Sequence, residues 1–217
     1  MKYIVKDQNT PDFDEWNASA SDDWQPTYDD LRGKEKKEVK DSLMKEQGHI
    51  CCYCERRLTD GDSHIEHFNP RSNNAVDPLD YANMLCSCQN QLKPKQEEEP
   101  RHCGHLKGDW FDDQLLVSPL DPDCAGHFSY TADGNIKPAT KSDDAARITI
   151  AKLGLNIPKL IALREKAIEP FLEEDLDDSD FFKFVGSYLL KNTDGMFIEF
   201  WTTIDYIFVR SVQNKER

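Results

Sequence analysis

Apolar residues are spaced differently in successive parts of the chain. Up to residue 27 they are sparse. Phe13, Trp16 and Trp24 anchor a polar, acidic stretch that reads as extended or irregular chain laid over the surface. From Thr27 to about Gln47, Leu31, Val39, Leu43 and Met44 form a thin stripe at helical spacing. Thr27 is the expected cap, and Asp29 and Asp30 sit in the first turn, where the helix dipole favours acids. Gly33 weakens that start, and Gly48 is the expected stop. Residues 49–110 show no regular period and are rich in Cys, His, Asn and Pro, a composition that often needs a metal to hold it together. Gln96 to Glu99, followed by Pro100, reads as a solvated loop. The stretch HFSYTADGNIKP at 127–138 reads as a hairpin turning at Asp133-Gly134.

From about residue 142 the pattern becomes helical. Ser142 opens a helix to about Leu155, and Asn156 caps a second with Pro158 in its first turn. The second has an apolar face of Ile157, Leu160, Ile161, Leu163, Ala167, Ile168 and Phe171. A third starts near Ser179 and ends at Asn192–Gly195. A fourth runs from Phe197 to about Val212, with Phe200, Trp201, Ile204, Ile207 and Phe208 on its face. That face reads first as packing into its own helical core, with a docking surface as the alternative.

The 217 residues suit one large domain or two small ones, and 38% hydrophobic with 10% aromatic residues excludes wholesale disorder. No apolar run approaches the roughly 18 residues that span a bilayer. The opening MKYIVKDQNTPDFDEW lacks an apolar secretory core, so a cytoplasmic protein without membrane contact is expected. The net charge is −14, distributed as −4 over residues 1–48, −3 over 49–110 and −7 over 111–217. No segment is a basic nucleic-acid footprint.

Seven cysteines lie at 51, 52, 54, 86, 88, 103 and 124, an odd number that fits a closed disulfide framework poorly. All six histidines (49, 64, 67, 102, 105, 127) fall in the same region. Cys51 and Cys54 form a CxxC pair that can grip a tetrahedral ion. Cys86, Cys88, Cys103 and Cys124 are candidates for the other ligands, with His102 and His105 nearby. The plainer reading is buried small hydrophobes. A redox CxxC lacks the βαβ surroundings it needs. A cysteine nucleophile at Cys52 or Cys124 lacks a His or Asp partner by spacing.

Four motifs occur in order: CCYCERRL, HIEHFNPRS, NMLCSCQ and HCGHLKGD. Together they resemble the HNH endonucleases, most closely the HNH nuclease subunit of Septu-type and retron-linked bacterial anti-phage systems. The resemblance spans about residues 48–160, including the hairpin and IAKLGLN at 150–156. It implies an α+β chain: a zinc-stapled ββα-metal finger flanked by an N-terminal helix and an α-helical C-terminal region. The implied divisions are 1–47, 48–140 and 141–217. The zinc ligands would be Cys51, Cys54, Cys88 and Cys103, with Cys86, Cys52 and Cys124 structural. The family's second knuckle is tighter than the separation of Cys88 from Cys103, but lengthening a loop costs only roughly 0.6 kcal/mol per doubling.

The resemblance assigns the chemistry as well. His67 would be the general base, Asn83 would orient its ring across the finger, and Glu66 would bind Mg²⁺ or Mn²⁺ through oxygen. The position after the last cysteine usually carries His or Asn. Here it is Gly104, so His105 is taken as third catalytic residue and second ligand of that ion, with His102 and Asn90 as rivals. Lys107 and Arg71 would touch phosphate, and His49 and His64 would be structural. The implied partners are a nucleic-acid substrate (DNA ahead of RNA), an ABC-type ATPase subunit, and in some systems a retron reverse transcriptase with its multicopy DNA. The other reading from the same residues is a non-catalytic zinc-finger adaptor or regulatory subunit, which Gly104 and the stretched knuckle favour.

Overall fold

In the computed structural model, which describes residues 1–89, 100–172 and 177–210, a helix forms earlier than the apolar pattern suggests. This helix, α1 (Pro11–Ala18), has proline in its first turn, where a missing N–H costs no hydrogen bond. Phe13 is its buried anchor, and Glu38 of the next helix accepts the N–H groups of Asp12 (3.3 Å) and Phe13 (2.8 Å). α2 (Gly33–Glu46) starts at Gly33 and not at Thr27. Thr27 uses its hydroxyl and carbonyl on Asp30, at 2.6 and 3.0 Å, closing a local turn instead. α2 ends where expected: the Gly48 N–H returns to Lys45 O (3.1 Å) and the His49 N–H to Met44 O (2.8 Å).

β1 (Ser63–His67) and β2 (Met84–Cys88) pair antiparallel, with Ser63 opposite Cys88 and His67 opposite Met84. Every residue of β2 is buried. Gln47, just past α2, fixes its middle by bonding both the N–H (2.7 Å) and the carbonyl (2.8 Å) of Cys86. The short α3 (Gly104–Lys107) follows the second cysteine group.

β3 (Phe128–Tyr130) and β4 (Ile136–Pro138) form the expected hairpin, Tyr130 opposite Ile136. Gly134 in its turn has φ +79°, and a Cβ there would lie 2.2 Å from the Ile161 carbonyl oxygen. Strain and clash add, so Gly134→Ala is expected to destabilise the protein by about 2 kcal/mol or more, read as a lower urea midpoint with unchanged slope.

α4 (Asp144–Lys152) is capped by Asp143 rather than Ser142, its carboxylate accepting the Ala146 N–H at 2.8 Å. α5 (Pro158–Ile168) begins at Pro158. Asn156 does not cap it, because its amide bonds both the N–H (3.0 Å) and the carbonyl (2.7 Å) of Ile136, fastening the hairpin to the helices. Arg164 of α5, 2% exposed, donates to the carbonyls of Gly134 (2.8 Å) and Leu155.

α6 (Asp178–Leu189) is capped by Asp177, and α7 (Trp201–Asp205) runs into a π turn at Tyr206–Arg210. The last helix starts at Trp201, not Phe197, because Phe197–Phe200 is bound along the cysteine knuckle. The Phe197 N–H reaches Gly48 O (2.9 Å) and the Phe200 N–H reaches Glu55 O (3.1 Å). The buried Glu55 carboxylate also accepts the Thr202 N–H (2.7 Å) and hydroxyl, and pairs with the Met1 ammonium at 3.1 Å.

The main core runs through residues from Met1 to Leu160 and includes all seven cysteines. A second cluster joins Ile168, Phe171, Val185, Ile204 and Phe208, so these apolar residues of the last helical stretch pack internally. The architecture is α+β, with two small antiparallel sheets among helices. Among the described residues no helix is long and apolar enough to cross a membrane.

Candidate metal centre and adjoining cleft

The knuckle is a tight turn in which the Glu55 N–H returns to Cys51 O (3.0 Å) and the Cys51 N–H to Arg56 O (2.8 Å). β2 delivers Cys88, and Cys103 arrives at the start of α3 with φ +54°. The ligating atoms of Cys51, Cys54, Cys88 and Cys103 all lie within 4.8 Å of one another, and all four residues are buried. A tetrahedral zinc with Zn–S near 2.3 Å requires sulfurs roughly 3.8 Å apart. Cys54 and Cys88 are 3.7 Å apart, so the set fits a structural metal.

Burial pushes the Cys51 thiol up, but hydrogen bonds from Cys103, Cys52, Cys54 and Cys88 more than reverse this, and it sits well below the usual range. The Cys88 N–H points at Cys51 Sγ (3.4 Å), a further donor to a thiolate. His102, fully buried, faces the same cluster, its Nδ1 3.1 Å from Cys103 Sγ and 3.7 Å from Cys88 Sγ. The other three cysteines are not among the four close sulfurs, although Cys52 bonds Cys51. Burial pushes Cys86 up to about 12 and Cys124 up to about 11, and Cys52 well above its ordinary value. None of the three presents a thiolate, which leaves the cysteine-nucleophile alternative without support.

Side chains alternate along β1, so His64 and Glu66 share one face while His67 lies on the other with Ser63 and Ile65. The buried Glu66 carboxylate takes Lys107 Nζ (2.8 Å) and Tyr53 Oη (3.2 Å) on Oε1, and faces His64 Nε2 (3.5 Å) on Oε2. Burial pushes its carboxyl up, but the His64 hydrogen bond and the Lys107 charge outweigh this and hold it low, so it is ionised at neutral pH.

His67 is nearly buried, and its Nε2 meets the Pro78 carbonyl at 2.9 Å. A carbonyl only accepts, so Nε2 carries the hydrogen and Nδ1 is left as the basic nitrogen. Burial lowers the His67 pKa against the Pro78 bond, with Arg71 helping, so the ring is neutral at pH 7.

Several expected roles differ. The Asn83 amide is not hydrogen-bonded to the His67 ring. Its amide bonds the Asn69 N–H (2.8 Å) and carbonyl (2.8 Å), stapling shut the loop whose Pro78 holds His67. Lys107 is 3% exposed and bonded to Glu66 and to His67 O (3.1 Å), so as placed it neutralises the carboxylate instead of facing solvent phosphate. The His105 ring lies tilted against that of His64, centroids 4.8 Å apart. A Cβ on Gly104 would lie 2.4 Å from Glu66 Oε2, so glycine is what lets the carboxylate fold over the start of α3. Among the described residues the four cysteines are the one group of three or more close metal-ligating residues. Asn90 lies outside the described residues, as do Gln96 to Glu99. Arg71 stands half in solvent over the Tyr28 ring (4.5 Å), paired with Asp29 (3.2 Å).

Glu66, His67, Arg71, Gly104, Lys107 and Asp109 line an open cleft of about 410 Å³. Two neighbours escape a motif-based reading. His64 packs between Glu66 and His105, and the alternation of Ser-His-Ile-Glu-His was the available signal for it. Tyr28 packs edge-on against His67 at 4.7 Å, and no local pattern marks it.

Fold and site together define a small α+β protein in which a four-cysteine centre staples the strands that carry an acid–lysine–histidine cleft. No family model matches the chain. The chain is 35% identical over 141 residues to a protein of Vibrio cholerae serotype O1 biovar El Tor named "Retron Vc95 putative HNH endonuclease". The alignment takes in 62% of this chain and spans 65% of that protein, just under two thirds of its length. This likeness supports the HNH resemblance carried by the motifs.

Proposed function

We propose that the chain is an HNH endonuclease that hydrolyses phosphodiester bonds in nucleic acid. The observation that carries this reading is the cleft where Glu66, His67 and Lys107 meet, with His67 neutral and its Nδ1 basic. The likeness to the Vibrio protein supports the same class. In the proposed step His67 Nδ1 takes a proton from water as the water oxygen bonds to phosphorus, the P–O bond to the leaving sugar oxygen breaks, and that oxygen takes up a proton from solvent water. Pro78 and the Asn69–Asn83 staple hold the ring, and Lys107 keeps Glu66 charged. The family resemblance adds a magnesium or manganese ion on Glu66, which would offset charge on the phosphate and leaving oxygen. Such an ion would sit on Oε2, which His64 faces at 3.5 Å, while Lys107 and Tyr53 stay on Oε1. Zinc at the four cysteines is the structural metal of this reading, and residues 48–140 are its nuclease unit. The finer reading is the effector of a bacterial anti-phage system, governed by an ATPase partner.

A second reading, a non-catalytic zinc adaptor, is favoured by Gly104 standing where the family carries a ligand and by His105 turning to His64. One substitution separates the two. In cells carrying the whole defence system, His67→Ala is expected to abolish protection against phage at unchanged protein level. In any system where cleavage is measurable the rate should fall at least about 100-fold. Equal protection by His67→Ala would leave the adaptor.

A further inference from the structure

Charge counted segment by segment hides what α2 does in space. Lys36, Lys37 and Lys40 enter a second open cleft, of about 440 Å³, alongside Tyr28, His64 and Ile65. Ile65 also lines the cleft that holds His67, so the two adjoin along β1. Tyr28 bridges them. Lys36 Nζ lies 5.4 Å from its ring centroid, the Arg71 guanidinium 4.5 Å, and the His67 ring 4.7 Å. Asp41 and Asp60 line the same cleft and Asp29 stands beside it, but Lys40 Nζ is bonded to the backbone carbonyl of Asp60 (2.7 Å); Lys37 is paired with the Asp41 carboxylate (2.5 Å) and Arg71 with that of Asp29 (3.2 Å), so the four cations Lys36, Lys37, Lys40 and Arg71 face three carboxylates. The strip therefore remains net positive on a chain of net charge −14. Cations beside an aromatic face are the elements of a track for a single strand, with the charges meeting phosphates and the ring meeting a base.

We propose that Lys36, Lys37 and Lys40 of α2, with Tyr28 and Arg71, form the track along which a nucleic-acid strand enters the His67 cleft. This rests on the nuclease reading for its direction, but it is tested by binding, apart from cleavage. Labelled 20-mers of single-stranded DNA, double-stranded DNA and RNA are titrated with the full chain carrying His67→Ala, and anisotropy is followed from 50 to 300 mM salt. Adding Lys36→Gln with Lys37→Gln, both exposed, is expected to weaken binding about 10-fold or more. It should also reduce the slope of log affinity against log salt by about 1 to 2. The control, Lys166→Gln with Lys183→Gln, lies outside both clefts and should change affinity less than 3-fold. The polymer whose slope responds identifies the strand. Equal slopes in track and control variants would overturn the proposal, as would no binding of any polymer at about 10⁻⁴ M protein. Lysine-dependent binding, with no cleavage under any condition by the chain that keeps His67, would sink the nuclease reading and keep the track. Cleavage without lysine dependence would do the reverse.

Discussion

Cys103→Ser is expected to strip the metal from the purified protein and to remove its cooperative unfolding transition. Wild-type protein prepared without added metal should hold close to one zinc per chain by elemental analysis, and the variant almost none. The magnitude follows from the geometry. Four buried thiol sulfurs within 4.8 Å of one another, without a cation, would hold coupled protons or repelling charges in a dry interior. Binding a structural zinc to such a set is worth on the order of 10–16 kcal/mol, as large as the whole stability of an ordinary domain at about 5–15 kcal/mol. The centre also joins elements far apart in sequence: the knuckle, the end of β2 and the start of α3. Cys124→Ser is the control, because Cys124 is as buried as Cys103 but bonds the Met1 carbonyl at 3.5 Å, away from the cluster. It should keep its metal. A folded, zinc-loaded Cys103→Ser protein would show that the ligand set is wrong.

The second large effect is expected at Arg164. Arg164→Met keeps most of the side-chain volume and removes the donors that satisfy the carbonyls of Gly134 and Leu155. Each buried carbonyl left unsatisfied costs about 1–3 kcal/mol, so a loss of roughly 3–4 kcal/mol is expected in urea unfolding. A loss below about 1 kcal/mol would mean that water reaches both carbonyls. The metal content should not change, which separates this effect from damage to the cysteine centre.

What could be read from the sequence was what is decided locally. Gly48 ends α2, Asp133-Gly134 turns the hairpin, and Pro158 opens α5, because each uses backbone geometry that a neighbour or two dictates. The Cys51–Cys54 pair was legible for the same reason. Joining it to Cys88 and Cys103 took the family's pattern, since nothing local says which cysteines approach it. The misread elements are those whose stability is borrowed. α1 has one buried apolar residue, Phe13, and depends on Glu38 of another helix to satisfy its first N–H groups. Phe197 and Phe200 have helical spacing, yet their N–H groups are bound to Gly48 and Glu55. In the cleft, residue types were visible but not their pairing. Lys107 looks like any lysine in sequence and is buried against Glu66 only because β1 and α3 meet there. The lysines of α2 were diluted by the acids around them in any count taken along the chain. Only their shared helix face brings them beside Tyr28.

The bond from Glu55 to Thr202 closes a span of 147 residues, and this has a consequence for the protein's synthesis. A ribosome adding about 5–20 residues per second needs on the order of 10 s to make that span. Throughout this interval Cys51 and Cys54 have left or are leaving the tunnel while the segment that will cover them does not yet exist. Contacts of such long separation also form late once the chain is free. The nascent thiols are therefore open to oxidants and to competing ions for far longer than the finished fold would suggest. The yield of active protein should then follow the redox state and zinc supply of the cell during translation more closely than the stability of the folded product.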